Sequence, residues 1–175
     1  AWTGIPVDGV AHLALSLLTF GILVTTPLAL AIAAPATARR RWNLLCWLQL
    51  PCAACVVLSS LLAPGAAAFV LSLPWLLFTL LVALCGSLRL VERGRGPLSE
   101  IAVDAGLVFL AVGGVWTVAT RAGSPLLGFG EPWVALTAAH FHFAGLVLPV
   151  VTGCAARRLP GRHGALASVG VIIGV

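Results

Sequence analysis

A chain of 175 residues that is 61% hydrophobic and only 9% charged cannot clothe a water-facing surface, because a soluble domain carries roughly a quarter charged residues. Lipid is therefore the expected solvent, and in lipid only a helix bundle or a closed barrel satisfies the backbone. The net charge of +5 does not point to nucleic acid, since the arginines fall between apolar runs, where they read as topology signals.

The apolar runs do not alternate and are long enough to span a bilayer as helices. The first predicted span runs from Pro6 to Ala34, and proline suits a helix start. Arg39, Arg40 and Arg41 fill the loop after it. The second span runs from Trp42 to Ala63 and ends in a Pro64-Gly65 turn. The third, from Ala66 to Leu90, contains Pro74 and predicts a kink. Arg89, Arg93 and Arg95 mark its end, with Glu92 among them. The fourth runs from Ser99 to Thr120, and a Gly/Pro-rich loop follows from Arg121 to Glu131. The fifth, from Pro132 to Ala156, leads into Arg157, Arg158, Arg162 and His163. A last apolar run starts at Gly164, and its Gly170-x-x-x-Gly174 spacing is a weak packing signal. The expected fold class is all-α: an integral membrane helical bundle of about six transmembrane helices, residues 1–175 forming a single domain. A start at Ala1 and a last run of about a dozen residues read as a fragment cut within its last helix, or as a processed chain.

Nine of the ten arginines lie in the first, third and fifth loops, and only Arg121 lies in the alternate set. The positive-inside rule puts those three loops in the cytoplasm and the N-terminus outside. Trp2 and Trp133 then fall at the outer interface, and Trp42 and Trp47 near the inner one, as aromatic belts do. Trp75 and Trp116 read as packing residues.

Ionisable groups inside a bilayer are costly, so each is a candidate for function. His140-Phe141-His142 lies in the fifth span, roughly 12–15 Å along the helix from Pro132. Residues two apart on a helix point in nearly opposite directions, so one imidazole is expected to face the bundle interior. The other is expected to face a neighbouring helix, unless the helix is distorted. Pro149 cannot bond the Gly145 carbonyl, which predicts a bend just below His142. Asp8 and His12, four apart, share a face near the start of the first span, where Asp8 can orient the imidazole. The plainer reading is an interfacial acid at a helix N-terminus beside a solvated histidine. Glu100 and Asp104, also four apart, enter from the arginine-rich side. Asp104 is expected to pair with an arginine such as Arg89 or Arg157, or to stay protonated.

His12, His140 and His142 with Asp8 are thus candidate metal ligands, for zinc, copper or iron. His140, His142 and Asp104 are candidate acid–base groups acting on a lipophilic molecule. A proton relay in a transporter uses the same groups. Cys52-x-x-Cys55 follows Pro51, and the five cysteines read as small apolar residues, with no disulfide framework. Gln49, Ser59, Ser60, Ser72, Thr117 and Thr137 read as interhelical hydrogen-bonders. No phosphate loop, dinucleotide fingerprint or nucleophile elbow is present.

Gly114-Val115-Trp116 and the stretch Pro132-Trp133-Val134-Ala135-Leu136-Thr137-Ala138-Ala139-His140-Phe141-His142-Phe143-Ala144-Gly145 resemble the YndJ-like family of bacterial membrane proteins. That family carries a similar Leu-Thr-Ala-x-His-Phe-His-aromatic segment. The resemblance covers Gly106 to Arg158, about a third of the chain. It implies a polytopic protein of the bacterial cytoplasmic membrane, singles out His140 and His142, and names no substrate. Three functions remain open: an enzyme or metal-binding protein, a small-molecule or proton-coupled transporter, and a structural subunit of a membrane complex. The expected partners are the lipid bilayer, a lipophilic small molecule, and an oligomer or complex partner.

Overall fold

The structure is a computed structural model, and it describes residues 7–34, 39–94, 96–159 and 162–175, without the side chains of Val7, Asp8, Arg39 and Arg41. Its helices are α1 (Val7–Phe20), α2 (Thr26–Ala33), α3 (Arg39–Ser59), α4 (Ala66–Arg93), α5 (Leu98–Ala122), α6 (Trp133–His140), α7 (Leu148–Ala156) and α8 (Arg162–Gly174). Two π-helical segments, Gly21–Thr25 and Phe141–Val147, join α1 to α2 and α6 to α7. Among the described residues five stretches are long and apolar enough to cross a membrane: Gly9–Ala33, Trp42–Ser59, Ala66–Arg93, Leu98–Ala122 and Trp133–Ala156. The sixth, α8, has 13 residues and packs on α5 and α7.

The outer surface is apolar in the first, second, third and fifth spans. Leu13, Leu28, Leu44, Leu77, Leu84 and Leu148 are all exposed there, as lipid solvation demands and water would penalise. Helix α5 is the central element and touches α4, α6, α7 and α8. Its Gly113 lies close against the fifth span: a Cβ there would lie 2.9 Å from the His142 ring. The fifth span can pack against α5 at this level only because that position has no side chain.

Each π segment stops two residues before a proline, Pro27 or Pro149. Proline cannot donate the bond that continues an α-helix. The chain answers by widening one turn, so that the Thr26 N–H reaches the Gly21 carbonyl and the Leu148 N–H reaches the Phe143 carbonyl, five residues back. In the first span this frees the Ile22 carbonyl from its usual Thr26 partner. Gln49 of α3 takes it, donating through Nε2 at 2.8 Å. The expected bend below His142 is thus realised as a π segment. Pro74, by contrast, lies inside an unbroken α4.

The predicted interhelical role of the hydroxyls needs correction. Ser59 and Ser60 donate to the Val56 carbonyl, Ser72 to Phe69 and Thr117 to Gly113, all within their own helices. A hydroxyl three or four residues beyond a carbonyl reaches it more readily than it reaches a neighbouring helix. Of the six residues predicted to bridge helices, Gln49 is the one whose described bond does so.

The two ends of the bundle differ in charge. At one end the Arg89 side chain donates to the Ala33 carbonyl at 3.0 Å and lies over the Trp42 ring at 5.8 Å. Arg157 bonds Glu100 there too. The first, third and fifth loops therefore meet at one end, as the alternation of arginines predicts. At the other end Arg121 is buried, and its Nη2 donates to the carbonyls of Ser59 at 2.7 Å and Leu62 at 2.6 Å. The exceptional arginine caps the C-terminal end of α3, where a cation is favoured by the helix dipole. Trp133 and Trp47 are exposed, as belt residues are, whereas Trp42 is buried and donates to the Leu30 carbonyl at 3.1 Å. Trp2 lies outside the described residues.

Candidate functional site

The two histidines of His140-Phe141-His142 have opposite fates. His142 is fully buried, between the π segments and α5. Its Nδ1 lies 2.8 Å from the Ala138 carbonyl. A carbonyl only accepts, so Nδ1 carries the proton. Its Nε2 then has a lone pair, which accepts the indole N–H of Trp75 at 3.2 Å. Both nitrogens of a neutral imidazole are satisfied. The ring also stacks on Trp75, with centroids 5.7 Å apart. Gly113 on one side and Gly21 on another leave room for the imidazole, since a Cβ on Gly21 would sit 3.0 Å from the His142 Cβ. The seat of His142 is thus built by the first, third, fourth and fifth spans.

His140 is exposed on the outer surface of the bundle, in edge contact with the Phe141 ring at 5.4 Å. His12 is exposed as well. It lines an open groove of about 510 Å³ with Ser16, Thr19, Phe20 and Ser60. The Asp8 backbone lies in α1, and its side chain is outside the described residues. Among the described residues no three of His, Cys, Asp and Glu gather as a metal site would require. Cys46, Cys52, Cys55 and Cys154 are free thiols.

A second polar centre lies at the arginine-rich end. Asp104 is fully buried on α5 and faces two arginines of α4, with Arg89 Nε at 2.8 Å from Oδ1 and Arg93 Nη1 on Oδ2. The Arg89 contact is an ion pair, because the N–H is not aligned for a hydrogen bond. Glu100, one turn earlier, accepts from Arg157 and lies 3.4 Å from Arg93 and 3.8 Å from Arg89. Arg157 follows the fifth span directly, and its hydrogen bond to Glu100 holds its pKa above the ordinary arginine value. Asp104 thus pairs with Arg89, as the sequence predicts; Glu100 also pairs with arginines, and together the pairs fasten α4, α5 and the end of α7. The structure does not bring Asp104 to His142: the partners of Asp104 are Arg89 and Arg93, and those of the imidazole are Trp75 and Ala138.

Trp75 is the participant that the sequence reading missed. A buried indole N–H needs an acceptor, and a buried imidazole needs a donor, so two such residues at mid-span are natural partners.

The YndJ-like protein family matches residues 16–175. The chain belongs to the YndJ-like family. It is 33% identical over 88 residues to the uncharacterized membrane protein YndJ of Bacillus subtilis (strain 168). That stretch is 50% of this chain and 16% of the relative's length, so the chain spans a small part of the curated relative it matches. No solved structure matches the chain. Family, apolar spans and helical architecture agree on a multi-pass integral membrane protein.

Proposed function

We propose that this chain is a structural module of a larger membrane protein or complex. In this reading its intramembrane polar groups fasten helices to one another and do not act on a substrate. It sits in the bacterial cytoplasmic membrane with the arginine-rich end inside and the N-terminus outside, on the positive-inside rule. The observation that carries the proposal is the His142 seat: a buried imidazole with a donor on one nitrogen and an acceptor on the other has no lone pair left for a metal or a proton. Asp104, held by two arginines, is likewise engaged.

Metal and haem content of the detergent-purified protein, beside His142→Ala and His140→Ala, tests this. The expected result is no stoichiometric metal in any form, with lower thermal stability only in His142→Ala. A metal that co-purifies one-to-one with the wild type and is lost in His142→Ala would overturn the structural reading in favour of a metal or acid–base enzyme.

One observation favours a second reading, transport. The π segments of the first and fifth spans lie against each other, and interrupted helices at mid-membrane are where many transporters bind and move. Uptake into proteoliposomes that depends on Pro27 and Pro149 would support it.

A further inference from the structure

A groove of about 440 Å³ opens at the arginine-rich end, lined by Ile32, Val151, Cys154, Ala155, Arg157 and Arg158. Its walls are the ends of the first and fifth spans. Ile32 is the penultimate residue of α2, and Ala155 the penultimate residue of α7. Ile32 and Val151 present exposed apolar side chains, whereas Arg157 and Arg158 stand just past the span. An apolar wall at the ends of two membrane spans, topped by two cations, matches the two chemistries of a phospholipid.

The charge count adds to the match. The network of Arg89, Arg93 and Arg157 with Glu100 and Asp104 holds three cations and two carboxylates, which leaves one positive charge over. Arg158 is exposed and makes no ion pair among the described residues. Arg157 spends its Nε on Glu100, and among the described residues its Nη1 meets the Cys154 sulfur at 3.7 Å. Its outer edge remains available to an anion. An Arg fork presents parallel N–H groups that suit phosphate oxygens, and basic pockets between transmembrane helices hold anionic headgroups.

We propose that this groove binds one anionic phospholipid of the surrounding bilayer, with the phosphate on Arg157 and Arg158 and an acyl segment along Ile32, Val151 and Ala155. The lipid would bridge the ends of the first and fifth spans. This site is independent of the His142 seat and does not rest on the structural reading.

Native mass spectrometry of the detergent-solubilised chain, titrated separately with phosphatidylglycerol, phosphatidylcholine and inorganic phosphate, tests the site. The wild type is expected to retain one phosphatidylglycerol in preference to phosphatidylcholine. Arg158→Gln, which breaks no ion pair, should weaken that binding several-fold, and Arg157→Gln with Arg158→Gln about tenfold or more. Ala155→Trp should abolish it by filling the apolar wall with no change in charge. Arg40→Gln removes one charge outside the groove and should leave binding as in the wild type. If the double variant does not fold, Arg158→Gln and Ala155→Trp decide the matter. Equal retention of the two lipids overturns the proposal, as does an equal loss in Arg40→Gln and Arg158→Gln. Saturation by inorganic phosphate at the same concentration overturns the lipid as the source of the anion.

Discussion

The bundle holds two polar centres of opposite character. At mid-membrane, His142 and Trp75 are both neutral, stacked, and linked by one hydrogen bond. At the arginine-rich end, five charged side chains share a network with one cation in excess. Depth explains the difference. A charge at mid-bilayer has no solvent, so the polar group placed there is one that can be neutral and still fill both its bonding positions. Near the interface, charges reach water and headgroups, and an excess cation is tolerated. Both nitrogens of the mid-span imidazole are engaged, whereas the charged network ends in the exposed Arg157 side chain.

The contrast predicts graded costs. Asp104→Ala should be the most damaging change, because it leaves Arg89 and Arg93 short of a buried counter-charge. Breaking a buried pair in this way costs about 3–5 kcal/mol, measured as unfolding free energy in detergent micelles. Trp75→Phe should cost less. It keeps an aromatic ring and removes only the indole donor to His142. Interhelical hydrogen bonds in membrane bundles contribute about 0.6–1.7 kcal/mol, and a double-mutant cycle of Trp75→Phe with His142→Ala should return a coupling in that range. A cycle giving zero would mean that the stack, not the bond, joins the residues. His140→Ala should fall within about 0.5 kcal/mol of the wild type, since that ring lies on the outer surface. A large loss for His140 together with a small one for His142 would invert the comparison.

Most of the fold is legible in the amino-acid pattern. The start and end of the third span and the end of the fifth fall within three residues of the observed helices, because a bilayer imposes one length and one composition on every helix that crosses it. The alternation of arginines places the odd loops together, and contacts through Arg89, Trp42 and Arg157 bring those loops to one end. The opposition of His140 and His142 also follows from helical geometry, but the exposure of His140 corrects the expectation that the second ring faces a neighbouring helix. What the pattern does not reveal is which residues of different spans meet. Trp75 lies 67 positions from His142, and no local spacing encodes that pairing. Gly113 and Gly21 look like any small residue until the imidazole is seated between them. The role of Arg121 is hidden in the same way, for it is set by the free carbonyls of α3. Pro27 was a readable signal. It interrupts the α-helix of the first span as Pro149 interrupts the fifth, and the same argument predicts a bend at both, but the π form does not follow from it, since Pro74 lies inside an unbroken α4.

The protonation state of the buried imidazole bears most directly on whether the mid-membrane centre is a fastening or a reaction site. Nitrogen-15 NMR of histidine-labelled protein, with His142 assigned by comparison with His142→Ala, reads it. At neutral pH the ring should be neutral, with the proton on Nδ1 and an unprotonated, hydrogen-bonded Nε2, and both signals should stay in place when zinc is added. An imidazolium signal, or a zinc-dependent shift at Nε2, would contradict the account.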